Sequence, residues 1–124
     1  MKNGQGKILL VEDDKFISRA FKDGLTRAGF EVIQAMDGVE ALEKVKTESP
    51  DLMLLDLIMP TKNGFDVLEE MNAKNLKKFP VVILSNLGQE LDIKRSKELN
   101  ADDYLIKSNV TLKEVVDKAK SFLK

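Results

Sequence analysis

The chain has 124 residues, 43% of them hydrophobic and 33% charged, which is typical of one globular domain and unlike a disordered segment. Twenty basic and 21 acidic residues give a net charge of −1, which does not favour direct binding to nucleic acid or a membrane surface. The absence of cysteine and histidine excludes disulfides, thiolate chemistry and imidazole catalysis.

Short apolar runs alternate with amphipathic stretches five times along the chain. The apolar runs predict strands at Ile8–Val11, Glu31–Ala35, Leu52–Leu55, Val81–Leu84 and Tyr104–Ile106. Apolar residues at helical spacing follow the first strand and predict a helix that buries Phe16, Ile17, Ala20, Phe21, Leu25 and Ala28. Gly29 and Asn100 are expected to end the first and fourth helices, because both residue types accept a left-handed backbone.

The four later helices are expected to turn apolar side chains inward. These side chains are Val39, Leu42 and Val45 in the second helix, Phe65, Leu68 and Met71 in the third, Leu91 and Ile93 in the fourth, and Leu112, Val115, Val116, Ala119, Phe122 and Leu123 in the fifth. Asp14 is expected to cap the first helix. The pairs Asp37/Glu40 and Thr111/Glu114 have the spacing of capping boxes.

Five strand–helix units predict an α/β fold with a parallel five-stranded sheet and helices on both faces. The first, third and fourth runs are the most apolar and are expected in the middle of the sheet. This favours a flavodoxin-like, doubly wound (βα)5 fold with strand order 2-1-3-4-5. We expect one domain over residues 1–124, with an ordered core over about 7–123.

Polar residues directly follow four of the predicted strands: Glu12 and Asp13, Asp56, Ser85, and Lys107. The carboxyl ends of parallel strands lie along one edge of a sheet, so these side chains are expected to share a cleft. Their formal charges sum to −2, and two carboxylates about 4 Å apart repel by roughly 4 kcal/mol at an effective dielectric constant of 20. Such a cluster requires protonation or a cation, and oxygen ligands suit Mg²⁺.

A carboxylate beside a metal ion can act as a nucleophile toward a phosphoryl group. Asp56 is the candidate, because it follows the apolar third strand at the mouth of the core. The ammonium of Lys107 and the hydroxyl of Ser85 could bind the oxygens of the transferred group. The sequence therefore predicts a site for phosphoryl transfer that depends on a divalent cation.

The sequence closely resembles a response-regulator receiver domain of two-component signalling, single-domain and similar to a chemotaxis receiver. The blocks that carry the resemblance are Ile8–Asp14, Asp51–Pro60, Asn63–Phe65, Val81–Asn86 and Ala101–Lys107. It runs from about Lys7 to the C-terminus, with the blocks in order and at the family's spacing. The resemblance departs at Ser108, where the family usually has a proline after a cis peptide bond.

The resemblance implies a role for each of these strand-end residues. Asp56 would accept a phosphoryl group from a histidine kinase or a histidine phosphotransfer protein. Glu12 and Asp13 would hold Mg²⁺, with Asp56 and the backbone carbonyl of Ile58 as further ligands. Lys107 would bind the phosphate.

The resemblance also implies a switch formed by Ser85 and Tyr104, in which the hydroxyl moves toward the phosphoryl group and the aromatic ring changes rotamer. The surface of the fourth helix, fifth strand and fifth helix would then change and contact a downstream target protein. The domain would catalyse only its own phosphorylation and dephosphorylation. It would be a monomer or a phosphorylation-dependent dimer, and no output domain is expected within the chain.

The N-terminal segment Met1–Gly6 is polar, and no apolar run along the chain exceeds five residues. These features predict neither a signal peptide nor a membrane span, and we expect a cytoplasmic protein.

Three alternative functions make different predictions. A phosphate-independent interaction module on the same fold would not need the acids, Ser85 and Lys107. A flavin mononucleotide binder needs a phosphate-binding loop after the first strand, where this chain has acidic residues. An aspartate-nucleophile phosphatase needs a second aspartate two residues after the nucleophile, where this chain has Ile58.

Overall fold

The computed structural model describes residues 6–123, in which strands and helices alternate along the chain. The strands are β1 (Gly6–Val11), β2 (Phe30–Ala35), β3 (Leu52–Leu55), β4 (Val81–Ser85) and β5 (Asp103–Ile106). The helices are α1 (Lys15–Arg27), α2 (Gly38–Glu48), α3 (Gly64–Ala73), α4 (Glu90–Glu98) and α5 (Leu112–Phe122), with a 3-10 turn at Lys107–Asn109. Residues 1–5 and 124 of the predicted domain lie outside the described residues, and so does the predicted polar N-terminal segment apart from Gly6.

The five strands form one parallel sheet in the order β2-β1-β3-β4-β5, which confirms the predicted fold. Alternate residues of the central strands point to opposite faces, as the period of a β-strand requires. Leu9, Met53 and Ile83 pack with residues of α2 and α3 on one face. Ile8 and Leu54 pack with residues of α1 and α5 on the other face.

Helix ends follow the predicted chemistry with one exception. Asp14 caps α1 by accepting from the Ile17 N–H, and Thr111 with Glu114 forms a reciprocal capping box at α5. At α2 only half of the predicted capping box forms. Asp37 Oδ1 accepts from the Glu40 N–H at 2.8 Å, but the Glu40 carboxylate accepts from the Met36 N–H at 2.7 Å and not from the N–H of Asp37. Gly29 (φ 102°) and Asn100 (φ 73°) have left-handed backbones, as expected for residues that end helices.

Several apolar side chains that were predicted to face inward are exposed. Phe16 is 87% exposed and Leu91 76%, while Val39, Ile93 and Leu112 each retain more than a third of their surface. Ala20 is exposed as well. Helical spacing shows which residues share a face, but burial depends on how much of that face a neighbouring element covers. Phe16 lies in the first turn of α1, whereas Gly24 and Leu25, further along the helix, are buried.

No helix within residues 6–123 is both long enough and apolar enough to cross a membrane. The described part of the chain contains no cis peptide bond, so the bond between Lys107 and Ser108 is trans.

Candidate functional site

Two neighbouring parallel strands end at the same level, and this places their following residues together. Val11 at the end of β1 is paired with Leu55 at the end of β3. Beyond this pair, the Asp56 N–H donates to the Val11 carbonyl at 3.1 Å and the Glu12 N–H donates to the Ala35 carbonyl at 3.0 Å. The sheet ladder therefore continues one residue past both strands and brings Glu12 and Asp56 together.

Three carboxylates meet at this edge of the sheet. Glu12, Asp13 and Asp56 each offer an oxygen, and the three oxygens lie within 4.8 Å of one another. Glu12 and Asp56 are only 2% and 5% exposed, whereas Asp13 faces solvent. A set of oxygen ligands that is open to water on one side fits Mg²⁺, which usually keeps several of its waters. The residues present are therefore compatible with a divalent cation.

Lys107 brings a positive charge into the same cluster. Its Nζ lies 2.9 Å from Asp56 Oδ2 and 2.5 Å from Glu12 Oε1. The Lys107 side chain is only 11% exposed, so it is largely buried together with the two carboxylates. One ammonium thus bridges two buried carboxylates, and Asp13 adds a further negative charge at the solvent side.

Burial and pairing act in opposite directions on the ionisation of this cluster. Burial raises the pKa of Glu12, and the hydrogen bond from Lys107 only partly offsets this effect. Burial lowers the pKa of Lys107, but the hydrogen bonds to Glu12 and Asp56 outweigh it and the pKa is raised. Lys107 is therefore charged at neutral pH, whereas burial acts against the ionisation of Glu12.

The loop between β3 and α3, which we call the β3–α3 loop (residues 57–63), turns back directly after Asp56. The Ile58 N–H donates to Asp56 Oδ1 at 3.2 Å, and the Gly64 N–H donates to the Leu57 carbonyl at 3.0 Å. The Ile58 side chain is 55% exposed. These two hydrogen bonds hold the β3–α3 loop close to the Asp56 carboxylate.

The predicted switch residues lie on the next two strands. Ser85 is fully buried at the end of β4, and its Oγ accepts from the Leu87 N–H at 3.4 Å. The Tyr104 hydroxyl on β5 donates a hydrogen bond to the Leu87 carbonyl. Both side chains therefore contact the segment after β4, and the predicted site divides into an acid–lysine cluster and a serine–tyrosine pair.

Sequence reasoning missed three hydrogen bonds that connect this edge of the sheet. Asn86 Oδ1 accepts from the Ser108 N–H at 2.9 Å, which joins the segment after β4 to the 3-10 turn after Lys107. The Leu87 backbone binds both Ser85 and Tyr104. The position of Asn86 directly after a strand-end serine could have marked it as a residue of the site. Its partner could not be predicted, because Ser108 is 22 residues away in the chain.

The ionisation of Tyr104 offers a direct test of this packing. Burial, with the charges of Asp92 and Asp56, raises the pKa of Tyr104 from 10.0 to about 12. The chain has one tyrosine and no tryptophan, so phenolate absorbance reports on this residue alone. We expect a midpoint near pH 12 for folded protein in a rapid pH jump and a midpoint near 10 in denaturant. A raised pKa contributes stability that is complete below pH 10 and is lost as the pH rises through about 12. A midpoint near 10.0 in the folded protein would contradict the burial of this hydroxyl.

Comparison with known proteins agrees with this arrangement. The family model described as "Response regulator receiver domain" matches residues 8–120. The alkaline phosphatase synthesis transcriptional regulatory protein PhoP of Bacillus subtilis (strain 168) is 41% identical over 101 residues, covering 82% of this chain and 42% of PhoP.

Two solved structures have the same fold. The chemotaxis protein CheY4 of Vibrio cholerae matches with a TM-score of 0.88 and 26% identity, covering 97% of this chain and 100% of that chain. The BeF3-activated N-terminal receiver domain of Klebsiella pneumoniae RstA matches with a TM-score of 0.87 and 27% identity, covering 95% of this chain and 98% of that chain.

The fold and the matching family model together define a phosphorelay signalling domain. The chain belongs to the response regulator receiver domain family of two-component signalling. It spans about two fifths of the length of the curated relatives it matches.

Proposed function

We propose that Asp56 accepts a phosphoryl group from a histidine kinase or a histidine phosphotransfer protein in a reaction that requires Mg²⁺. The observation that carries the proposal is the bridging position of Lys107 between Asp56 and Glu12. A buried acid cluster with a single ammonium has residual negative charge, which a divalent cation would neutralise. Glu12, Asp13, Asp56 and the Ile58 carbonyl would hold the ion.

The proposed transfer forms a bond between an Asp56 carboxylate oxygen and the phosphorus of a phosphohistidine. The phosphorus–nitrogen bond of the donor breaks, and its electron pair stays on the imidazole nitrogen. Lys107 Nζ, 2.9 Å from Asp56 Oδ2, is placed to bind a negatively charged oxygen of the transferred group. When bound, Mg²⁺ would supply Lewis-acid stabilisation of the phosphoryl oxygens.

The same domain would also return to its unphosphorylated form by its own hydrolysis reaction. The oxygen of a water molecule would bond to phosphorus, the bond between phosphorus and the Asp56 oxygen would break, and its electron pair would return to the Asp56 carboxylate as inorganic phosphate leaves. The Ile58 side chain is apolar and two residues from Asp56, so it offers no group that orients the attacking water. We propose no separate substrate for this domain.

The output of the domain would be a change in the surface formed by α4, β5 and α5. A phosphoryl group adds charge and three acceptor oxygens, which would draw the Ser85 hydroxyl toward Asp56. That movement competes with the contacts of Ser85 and Tyr104 to Leu87. Tyr104 would then leave the Leu87 carbonyl and change rotamer, and the equilibrium between two surface shapes would shift.

The partner of that surface would be a downstream target protein or a second copy of the chain. Leu91 and Ile93 on α4 are exposed and offer an apolar contact. We propose that the domain is a cytoplasmic monomer or a phosphorylation-dependent dimer and that it contacts neither nucleic acid nor membrane itself. Because PhoP is named a transcriptional regulatory protein and is longer, the domain would control an output segment if it occurs in such a chain.

Binding of beryllofluoride, a phosphoryl mimic, tests this function against the alternatives. We expect the fluorescence of Tyr104 to change on addition of beryllofluoride only when Mg²⁺ is present, because the mimic would bind to an oxygen of the Asp56 carboxylate as the phosphoryl group would. The reagent suits this fold, since the similar RstA domain is described as BeF3-activated. A phosphate-independent module would show no change in Tyr104 fluorescence on addition of beryllofluoride, with or without Mg²⁺. A yellow protein as purified would instead favour the flavin alternative, and turnover of a phosphoester would favour the phosphatase.

A further inference from the structure

Gly38, the first residue of α2, approaches the backbone of the β3–α3 loop closely. A Cβ atom added at Gly38 would lie 2.2 Å from the Lys62 carbonyl oxygen and 2.8 Å from Lys62 Cβ. The oxygen belongs to the backbone, so a side-chain rotation at Lys62 cannot remove this clash. The first turn of α2 can therefore lie against the loop only because residue 38 has no side chain.

The β3–α3 loop has little freedom to absorb a displacement at Lys62. The Lys62 N–H donates to the Pro60 carbonyl at 2.7 Å, which closes a three-residue turn around Thr61. Thr61 has φ 69°, an uncommon conformation for a β-branched residue. A tight turn with a left-handed centre has few alternative shapes, so a shift of Lys62 would move the neighbouring residues with it.

The other end of the loop touches Asp56 itself. A Cβ at Gly64 would lie 2.5 Å from the Asp56 carbonyl oxygen, so α3 begins in direct contact with the backbone of the candidate phosphoacceptor. On the outer side, Lys62 Nζ forms an ion pair with Glu70 Oε1 of α3 at 2.8 Å. The loop that carries Ile58 is thus enclosed between α2 on one side and α3 on the other.

From these contacts we propose that Gly38 is a positioning residue for the metal site. Its close approach holds the β3–α3 loop, and so the Ile58 carbonyl, at the distance from the acid cluster that binding of Mg²⁺ requires. Gly38 would act through the Lys62 backbone and would touch neither the ion nor the phosphoryl group. The inference rests on the proposed function, because it assigns a determinant of cation affinity at the same site.

Replacing Gly38 with alanine tests the proposal. We expect the dissociation constant for Mg²⁺ to rise about 10-fold, which is typical when a residue that orients a metal ligand is replaced. Calorimetry or a nuclear magnetic resonance titration of the full chain measures this constant. Gly24→Ala is the matched control, because it adds the same methyl group to α1 at 2.7 Å from the end of the Leu112 side chain. Gly24→Ala is expected to change stability but to leave Mg²⁺ affinity within about twofold of the wild type.

A second variant separates the backbone contact from the ion pair. Lys62→Ala removes the contact with Glu70 and keeps the carbonyl and Cβ that face Gly38, so we expect affinity for Mg²⁺ close to the wild type. A loss in Lys62→Ala equal to that in Gly38→Ala would assign the effect to the ion pair and overturn the proposal. Wild-type affinity in a folded Gly38→Ala variant would overturn it as well.

The wild-type protein gives an independent readout if Gly38→Ala does not fold. We expect the amide resonances of Gly38 and Lys62 to shift during a Mg²⁺ titration with the same midpoint as Ile58. A shift at Ile58 without one at Gly38 would overturn the positioning role and leave the proposed function intact. A wild-type chain that does not bind Mg²⁺ at all would instead refute the proposed function and, with it, this inference.

Discussion

Replacing Asp56 with asparagine is expected to reduce phosphoryl incorporation from acetyl phosphate and Mg²⁺ to background. The amide has the same size, so the backbone contacts of residue 56 with Val11 and Gly64 remain. It has no carboxylate oxygen that can attack phosphorus, and it also removes one charge from the acid cluster. Intact-protein mass spectrometry after incubation with the small donor measures the incorporated phosphoryl group directly.

Asp23→Asn is the control for this experiment, because Asp23 is an exposed residue of α1 outside the acid cluster. The control is expected to incorporate one phosphoryl group as the wild type does. Full incorporation in Asp56→Asn would contradict the assignment of the phosphoacceptor. Phosphorylation that moved to Asp13 would show that the acid cluster is reactive but that the wrong carboxylate was chosen.

Replacing Lys107 with alanine is expected to lower the stability of the metal-free protein and to abolish phosphoryl uptake. The ammonium bridges two carboxylates that are almost fully buried, and its loss leaves both without a counterion. Breaking a buried ion pair from one side costs about 3 kcal/mol in free energy of unfolding. We expect Mg²⁺ to restore part of this loss, because the cation would neutralise the same carboxylates. Urea unfolding with and without Mg²⁺ measures both effects.

Lys113→Ala provides the comparison on α5. Lys113 pairs with Asp117 at 2.8 Å, but its side chain is 83% exposed, so water screens this pair and its removal is expected to lower the stability much less than the loss of Lys107. Equal stability losses in the two variants, or no loss in metal-free Lys107→Ala, would show that Lys107 does not compensate the buried charge. Retention of phosphoryl uptake in Lys107→Ala would remove its proposed role toward the phosphoryl oxygens.

Much of the fold could be predicted because its signals are local. The run Leu52–Leu55 coincides with β3, and the other strands differ from their predicted bounds by one or two residues. Caps such as Asp14 and stops such as Asn100 also depend on a few neighbouring residues. The strand order followed from relative apolarity, since a central parallel strand has both faces covered.

The candidate site could be predicted for the same reason. A parallel sheet aligns the carboxyl ends of its strands, so strand-end polar residues such as Asp56 and Lys107 meet whatever the intervening sequence is. The pairing of side chains within the site could not be predicted. Lys107 and Glu12 are 95 residues apart in the chain, and Tyr104 binds the backbone of Leu87 instead of a side chain of the acid cluster.

The sequence patterns of single segments sufficed to identify the strands, most helix ends and the set of polar residues at the sheet edge. Only the tertiary structure decides three other features. These are the exposure of Phe16 and Leu91, the two ion pairs of Lys107, and the close approach of Gly38 to Lys62. The physical reason is the distance along the chain over which each effect acts. Periodicity and capping act over one or two turns of chain, whereas burial and ion pairing depend on distances between segments that are remote in sequence.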